Sequence, residues 1–311
     1  MNWLNARVHQ VKHRLKGSHT RRGLLASAAL YMVLIFVSFV FLYPIFMMIA
    51  GSAKDVHDLA NPIVRWIPSR INTQNYFQAY VSLGGMSTLF ESLRIILFIA
   101  VAQTVSAALI GYGLAKYDFW GNKLLLVLIL ITFILPPQTT FLARYVMFVR
   151  MGMLNTILPV LLPSTLGQGI NSAIFILIFY QFFKMAPRSL DESAFIDGAG
   201  HITTFLRINM RLATPALVVV FIFSYVWNWN ETTLSASLFG PDISTVPLAL
   251  QRFQDMFVLQ FPEAAANPLL RMNEGLLMAG TLLSIIPLIV LYVIVERHLV
   301  ESIDRAGITG E

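Results

Sequence analysis

The chain contains no cysteine, which removes disulfides and thiolate metal sites from consideration. Charge is scarce as well. Asp, Glu, Lys and Arg make up 12% of the 311 residues, about half the roughly 25% of a soluble domain. A soluble chain of this length would need a polar skin that so few charges cannot supply. With 57% hydrophobic residues and a mean hydropathy of +0.69, the composition fits lipid as the solvent. Catalytic signatures are missing too: there is no G-x-x-x-x-G-K-[ST] phosphate loop, no H-E-x-x-H and no G-x-S-x-G. Gly198-Ala199-Gly200 opens like a dinucleotide fingerprint, but Thr203 stands where the third glycine belongs, and no strand pattern precedes it. His9 and His13 have a metal-ligand spacing, yet Gln10, Val11 and Lys12 lie between them and Arg7 and Arg14 flank them. No acid occurs before Asp55. A solvated basic segment is therefore the better reading than a cation site. These absences point away from covalent chemistry, and no catalytic residue and no metal site are expected.

What is present is a series of runs free of Asp, Glu, Lys and Arg, at 23–53, 71–90, 95–115, 124–143, 151–183, 212–230 and 275–295. A helix that crosses a bilayer needs about 20 apolar residues, because lipid offers the backbone no hydrogen-bond partner. Six runs qualify. The seventh, INTQNYFQAYVSLGGMSTLF at 71–90, is crowded with Asn, Gln, Ser, Thr and Gly and reads as a loop. In 151–183 the first half holds Pro159, Pro163, Gly167 and Gly169, so its helix is expected near 166–184. The expected fold is an all-α polytopic membrane protein of six spans. A basic segment (1–22) comes first, the six-span domain covers 23–298, and a tail (299–311) closes the chain.

Orientation follows from the basic residues. With the N-terminus inside, the inner segments hold Arg7, Lys12, Arg14, Lys16, Arg21, Arg22, Lys116, Lys123, Lys184, Arg188, Arg207, Arg211, Arg297 and Arg305, leaving 8 of the 22 outside. The positive-inside rule then puts both termini on the cytoplasmic side of the membrane. The lipid bilayer is a partner, and no nucleic acid is expected. Arg21-Arg22 before an apolar run mimics a twin-arginine export signal, but the run is too long for one. Residues 3–16 fit either a helix on the inner membrane surface or a tail. The spans are nearly free of ionisable groups, which leaves an ion- or proton-driven carrier without its relay. Energy for transport would have to come from a partner.

One polar stretch, DESAFIDGAGHITTF at Asp191 to Phe205, lies between two of the most apolar runs. Ser189 and Glu192 have capping-box spacing, with Pro187 just ahead, so a short helix is expected to start there. Gly198 and Gly200 would break it. A second helix from about Ile202 would show Phe205, Ile208 and Leu212 on one face before Pro215 opens the fifth span. Spacing alone leaves two readings open, a docking knob and an ordinary amphipathic connector.

These residues resemble a known family. Glu192-Ser193-Ala194-Phe195-Ile196-Asp197-Gly198-Ala199, followed by Phe205, Ile208, Pro215, Ala216 and Leu217, is similar to the E-A-A-x-x-D-G-A loop. That loop marks the permease subunits of binding-protein-dependent ABC importers, and its D-G-A form is typical of the carbohydrate-uptake, maltose-type branch. Trp66-Ile67-Pro68 and Asn75-Tyr76 resemble the family's first external loop, and Gly111 to Gly121 (GYGLAKYDFWG) its second span and inner turn. Leu135-Pro136-Pro137-Gln138 resembles its third-span motif, and Gly152 to Thr156 (GMLNT) the turn after it. Gly307-Ile308-Thr309-Gly310 is similar to the tail of the shorter permease of the pair. Two positions depart: Ser193 replaces the second Ala, and Arg211 replaces a common Pro, which should let the second short helix run more smoothly into span five.

The resemblance implies the type I importer permease fold and a multi-subunit complex. A second homologous permease, two cytoplasmic ATPase subunits and an extracytoplasmic solute-binding protein would be the partners of this chain. ATP and Mg would sit on the ATPases, with no cofactor bound here. The loop at about 185–212 would couple to the ATPase through Glu192, Ser193, Ala194, Asp197, Gly198, Ala199 and Phe205.

Span five ends in Tyr225-Val226-Trp227-Asn228-Trp229-Asn230-Glu231-Thr232. Aromatic faces beside amides and a carboxylate suit a sugar, although Trp and Tyr also collect at membrane interfaces. Asn228, Glu231 and Thr232 would share one helix face. Tyr225, Trp227, Asn228, Asn230, Glu231, Thr232 and Gln103 are therefore candidates for a substrate pathway, with Thr104 and Ser106 a weaker set beside Gln103. A permease for a non-sugar solute, and a membrane scaffold or embedded enzyme without transport, are the alternatives.

Overall fold

A computed structural model describes residues 17–18, 21–22, 24–267 and 272–308. The proposed surface helix at 3–16 and the His9–His13 pair lie outside the described residues. The structure divides into two compact units, Met1–Asn75 with Asn273–Ala279, and Tyr76–Met272 with Gly280–Glu311.

In the first unit, α1 (Leu24–Ser52) is a helix of 29 residues. Its most apolar stretch has no buried residue, and Tyr31, Met32, Phe36 and Phe41 all stand outward. Such a surface is stable only against lipid or another apolar protein face. After the short α2 (Val56–Ala60), Lys54 donates to the carbonyls of Val64 and Arg65, and Asp58 accepts from the N–H of Ser69. Asn75 is buried and donates to the carbonyls of Ser52 and Lys54 at 2.8 and 2.9 Å.

The polar run at 71–90 is not a loop. Most of it is helical: α3 covers Gln74–Ser82, and α4 starts at Gly85. Several of its polar side chains bond to backbone carbonyls, Asn75 to those of Ser52 and Lys54 and Ser87 to that of Gly84, so a polar composition did not require irregular backbone. Gly84 and Gly85, at φ +83° and +63°, make the corner between the two helices.

The second unit is organised around α4 (Gly85–Lys116), a single helix of 32 residues. The third span is broken. Leu135, held extended by the proline that follows, separates α5 (Asn122–Ile134) from α6 (Pro137–Arg150), and the two meet at 101°. After α7 (Leu158–Thr165), the fourth span is α8 (Ser172–Met185), shorter than the expected 166–184 because Gly167 and Asn171 take left-handed conformations ahead of it. The polar stretch folds as α9 (Arg188–Ile196) and α10 (His201–Leu212). Then come α11 (Thr214–Asn230), α12 (Thr233–Leu238), α13 (Val246–Gln251), α14 (Phe253–Gln260) and α15 (Pro262–Ala266). The final helix is α16 (Glu274–Ile308). Among the described residues three single helices, with three bent pairs each counted as one span, give up to six candidate crossings.

The core of this unit packs small residues of α4 against large ones of α8, with residues of α10 and α11 beside them. Ala107 and Ala108 meet Phe175, Ile176, Phe179 and Phe183, with Phe205, Ala213 and Val220 completing the cluster. A Cβ on Gly111 would lie 2.6 Å from that of Phe179 and 2.9 Å from the backbone nitrogen of Tyr180. Only glycine lets α4 and α8 approach so closely, the usual way for helices to pack in lipid.

Candidate functional site

The polar corner is built from outside in. Pro187 precedes the first turn of α9 and presets its backbone. Ser189 is therefore already helical, and no capping box forms. Ser193 Oγ instead donates back to the Ser189 carbonyl at 2.8 Å. Asp197 ends α9, and Gly198 turns the chain at φ +83°. Inside α10 a π turn covers Phe205–Asn209. Its wider pitch moves the buried stripe to Phe205, Asn209 and Ala213, in place of the expected Phe205, Ile208 and Leu212. Nor does the chain run smoothly into span five: α10 and α11 meet at 79°. Ala213 absorbs the bend, so the absence of proline at Arg211 did not straighten it.

The corner has two distinct sides. Ala194 and Phe205 are buried, whereas Glu192, Ser193, Asp197 and Gly198 are exposed and Ala199 is half-exposed. At the tip, Ile196 and Ile202 are 86% and 75% exposed. The acid that sequence reasoning missed is Asp191. It is buried, with Oδ2 2.8 Å from Lys116 Nζ of α4, and Oδ1 accepts from Asn209 Nδ2 at 2.6 Å. Nothing local signals this pair, because Lys116 lies far upstream at the end of another span.

The pathway candidates separate into two groups. Gln103 is fully buried. Its Nε2 donates to the Ile170 carbonyl and to Ser172 Oγ at 2.6 and 2.8 Å, and its Oε1 accepts from Ser224 Oγ and Asn228 Nδ2 at 2.6 and 2.9 Å. Thr104 and Ser106 likewise donate to carbonyls, of Ala100 and Ser164. Tyr225 is buried with Ile96, Ala100, Trp229 and Val246, and Trp227 stacks on Phe175 at 5.2 Å. The other group lies at the end of α11. The helix stops at Asn230, so Glu231 and Thr232 do not continue the face of Asn228. Asn230 Nδ2 donates to the Val226 carbonyl and is exposed. Glu231 accepts from the N–H of Leu234 and caps α12. Asn228 and Glu231 still line one cavity, with Ser235 and Thr245, of about 10 Å³. That is room for about one water, not for a solute. Among the described residues no cluster of His, Asp and Glu could hold a metal.

Residues 107–305 match the family of binding-protein-dependent transport system inner membrane components. The chain belongs to that family. The permease is 26% identical to the arabinooligosaccharides transport system permease protein of Halalkalibacterium halodurans, covering 88% of this chain and 94% of the relative. It is 25% identical to a diacetylchitobiose uptake system permease protein of Streptomyces coelicolor, over 94% and 91%. An osmoprotective compounds uptake permease protein of a Synechocystis species is 27% identical over 74% and 80%. In three dimensions the permease superposes, with a TM-score of 0.67 and 20% identity, on a chain of a bacterial ABC transporter that imports the acidic polysaccharide alginate. The match covers 87% of the permease and 95% of that chain. Its fold is that of an ABC importer permease, and its role in the inner membrane is that of a transport component, not of an enzyme.

Proposed function

We propose that this permease forms one half of the translocation pathway of an ATP-driven importer for a sugar or oligosaccharide. The observation that carries the reading is the corner at 188–212, pinned from within by Asp191 and Phe205 while it presents Glu192, Ser193, Asp197, Gly198, Ile196 and Ile202 outward. A permease with no nucleotide-binding motif must feel a motor that docks on it. An exposed apolar tip with the acids Glu192 and Asp197 beside it in the chain is the kind of surface a partner with a basic groove covers. The ATPase subunits, with ATP and Mg, belong on the cytoplasmic side of the membrane with this corner. Both termini lie there as well, and a second permease completes the channel. An extracytoplasmic binding protein delivers the solute to the opposite side, near Asn230, Glu231 and Thr232. The relatives' oligosaccharide solutes support the carbohydrate class. The relative that takes up osmoprotective compounds favours a second reading, an importer for another small polar solute.

The test is Glu192→Lys in the complete complex. The permease should still insert, and the ATPase subunit should be lost on purification. A deletion strain carrying it should fail to take up labelled oligosaccharides that the wild type imports. Retention of the ATPase with normal uptake would make the corner a mere connector. Uptake of a labelled osmolyte in place of any sugar would favour the second reading.

A further inference from the structure

Lys116 closes α4, and its ammonium group is buried against Asp191 of α9, with 7% and 12% of the two side chains exposed. It donates in addition to the Ala186 carbonyl at 3.2 Å, just ahead of α9. The second oxygen of Asp191 is held by Asn209 of α10. One carboxylate of α9 is therefore held by α4 and by α10, the helix on the other side of Gly198. The next residue along, Tyr117, pairs through its hydroxyl with Nδ1 of His201 at 3.0 Å, and Tyr112 packs on Phe205 with ring centres 4.7 Å apart. By contrast the Arg188–Asp118 pair, at 3.9 Å with side chains 71% and 92% exposed, holds little.

The opposite end of this connection is the Gln103 cluster. Gln103 stands on the same helix as Lys116, about 20 Å away at 1.5 Å per residue, and bonds to Ser224 and Asn228 of α11 and to Ser172 of α8. A buried ion pair adds little net stability over neutral residues of the same shape, and in some proteins its role is to specify one geometry. Here the geometry it specifies is the attachment of α9 and α10 to α4.

We propose that Lys116 is a positioning residue for energy coupling. Through Asp191 it makes α9, α10 and α4 move as one body, so that events at the corner reach the Gln103 cluster and the reverse. The proposal rests on the reading that the corner docks an ATPase. The experiment uses the complete importer in liposomes, with the binding protein as purified from cells as the probe, and reads its stimulation of ATP hydrolysis. Lys116→Met leaves Asp191 unpaired, whereas Lys116→Met with Asp191→Asn removes both charges and keeps an amide oxygen for Asn209. Both should retain the ATPase subunit and its basal hydrolysis, and the stimulation should fall at least about fivefold, the lower end of ordinary coupling effects. Lys116→Arg should restore it. Full stimulation in the double variant overturns the proposal. So does failure of both variants to assemble, which would make the pair a folding element. Glu192→Lys separates the two readings: if it disrupts docking while the double variant couples normally, only the role of Lys116 falls. If Glu192→Lys docks and couples normally, the docking reading falls first.

Discussion

Gln103→Leu should destabilise the permease by about 2 kcal/mol without changing the affinity of the complex for its solute. The side chain is fully buried and makes four hydrogen bonds, to Ile170, Ser172, Ser224 and Asn228. Side-chain hydrogen bonds inside membrane proteins average roughly 0.6 kcal/mol each by double-mutant cycles, so four together come to about 2 kcal/mol. Leucine nearly fills the same volume, so no large cavity term is added. The loss should be shared with its partners. In a cycle between Gln103→Leu and Asn228→Leu, the second change should cost clearly less once the first is in place, because their bond is already gone. Reversible unfolding of the purified protein in mixed micelles measures the energies, and uptake kinetics with labelled oligosaccharides measure the solute affinity. A variant with unaltered stability and a many-fold higher KM would refute this reasoning and return Gln103 to the pathway lining.

Two glycines of α4 make a paired test. Gly111→Ala should lower the melting temperature, because its Cβ meets Phe179 and the Tyr180 backbone and overpacking costs about 1–3 kcal/mol. Gly113→Ala, with nothing within 4 Å of its Cβ, should leave it level or raise it, since alanine favours helix by about 1 kcal/mol. At the corner, Gly198 has φ +83° and open space around its would-be Cβ, so the cost of substitution is purely conformational. Gly198→Ala should weaken ATPase retention by a factor of about ten, for 1–2 kcal/mol of backbone strain. Gly198→Asn should weaken it less, because asparagine enters the left-handed region more readily; titrating ATPase subunit onto the immobilised permease would show the order.

Much of this architecture was legible in the sequence because lipid demands long apolar runs. Five of the six runs read as spans hold an unbroken helix over most of the expected stretch, although α4 begins ten residues early and α16 runs on past its run. The sixth, at 124–143, holds a sharp break at Leu135, since uncharged composition is blind to direction and only Pro136-Pro137 carries the bend. The stretch at 71–90 was misread for the opposite reason. Its polar residues looked solvated, yet Asn75 spends its amide on the carbonyls of Ser52 and Lys54. At the corner, the glycine turn at Gly198 could be read locally, whereas the π turn at Phe205–Asn209 could not, having no composition signal. The inward turn of Asp191 depends on Lys116, and Gln103 depends on Ser224 and Asn228, partners that only the tertiary fold brings near. That is why a reading by local pattern found the acidic loop but gave Asp191 no role.

The length of α4 has a mechanical consequence. At 32 residues and 1.5 Å of rise per residue it is roughly 48 Å long, well beyond the roughly 30 Å of hydrocarbon it must cross. No proline interrupts it, so it has no built-in joint at which motion could be lost. A rod of this kind that pivots by only about 5° about one end carries the other through about 4 Å, roughly three quarters of the pitch of one helical turn. A small rotation imposed near Lys116 would thus be delivered as an ångström-scale displacement near Gly85 at the far tip, with a gain set by the length of the helix.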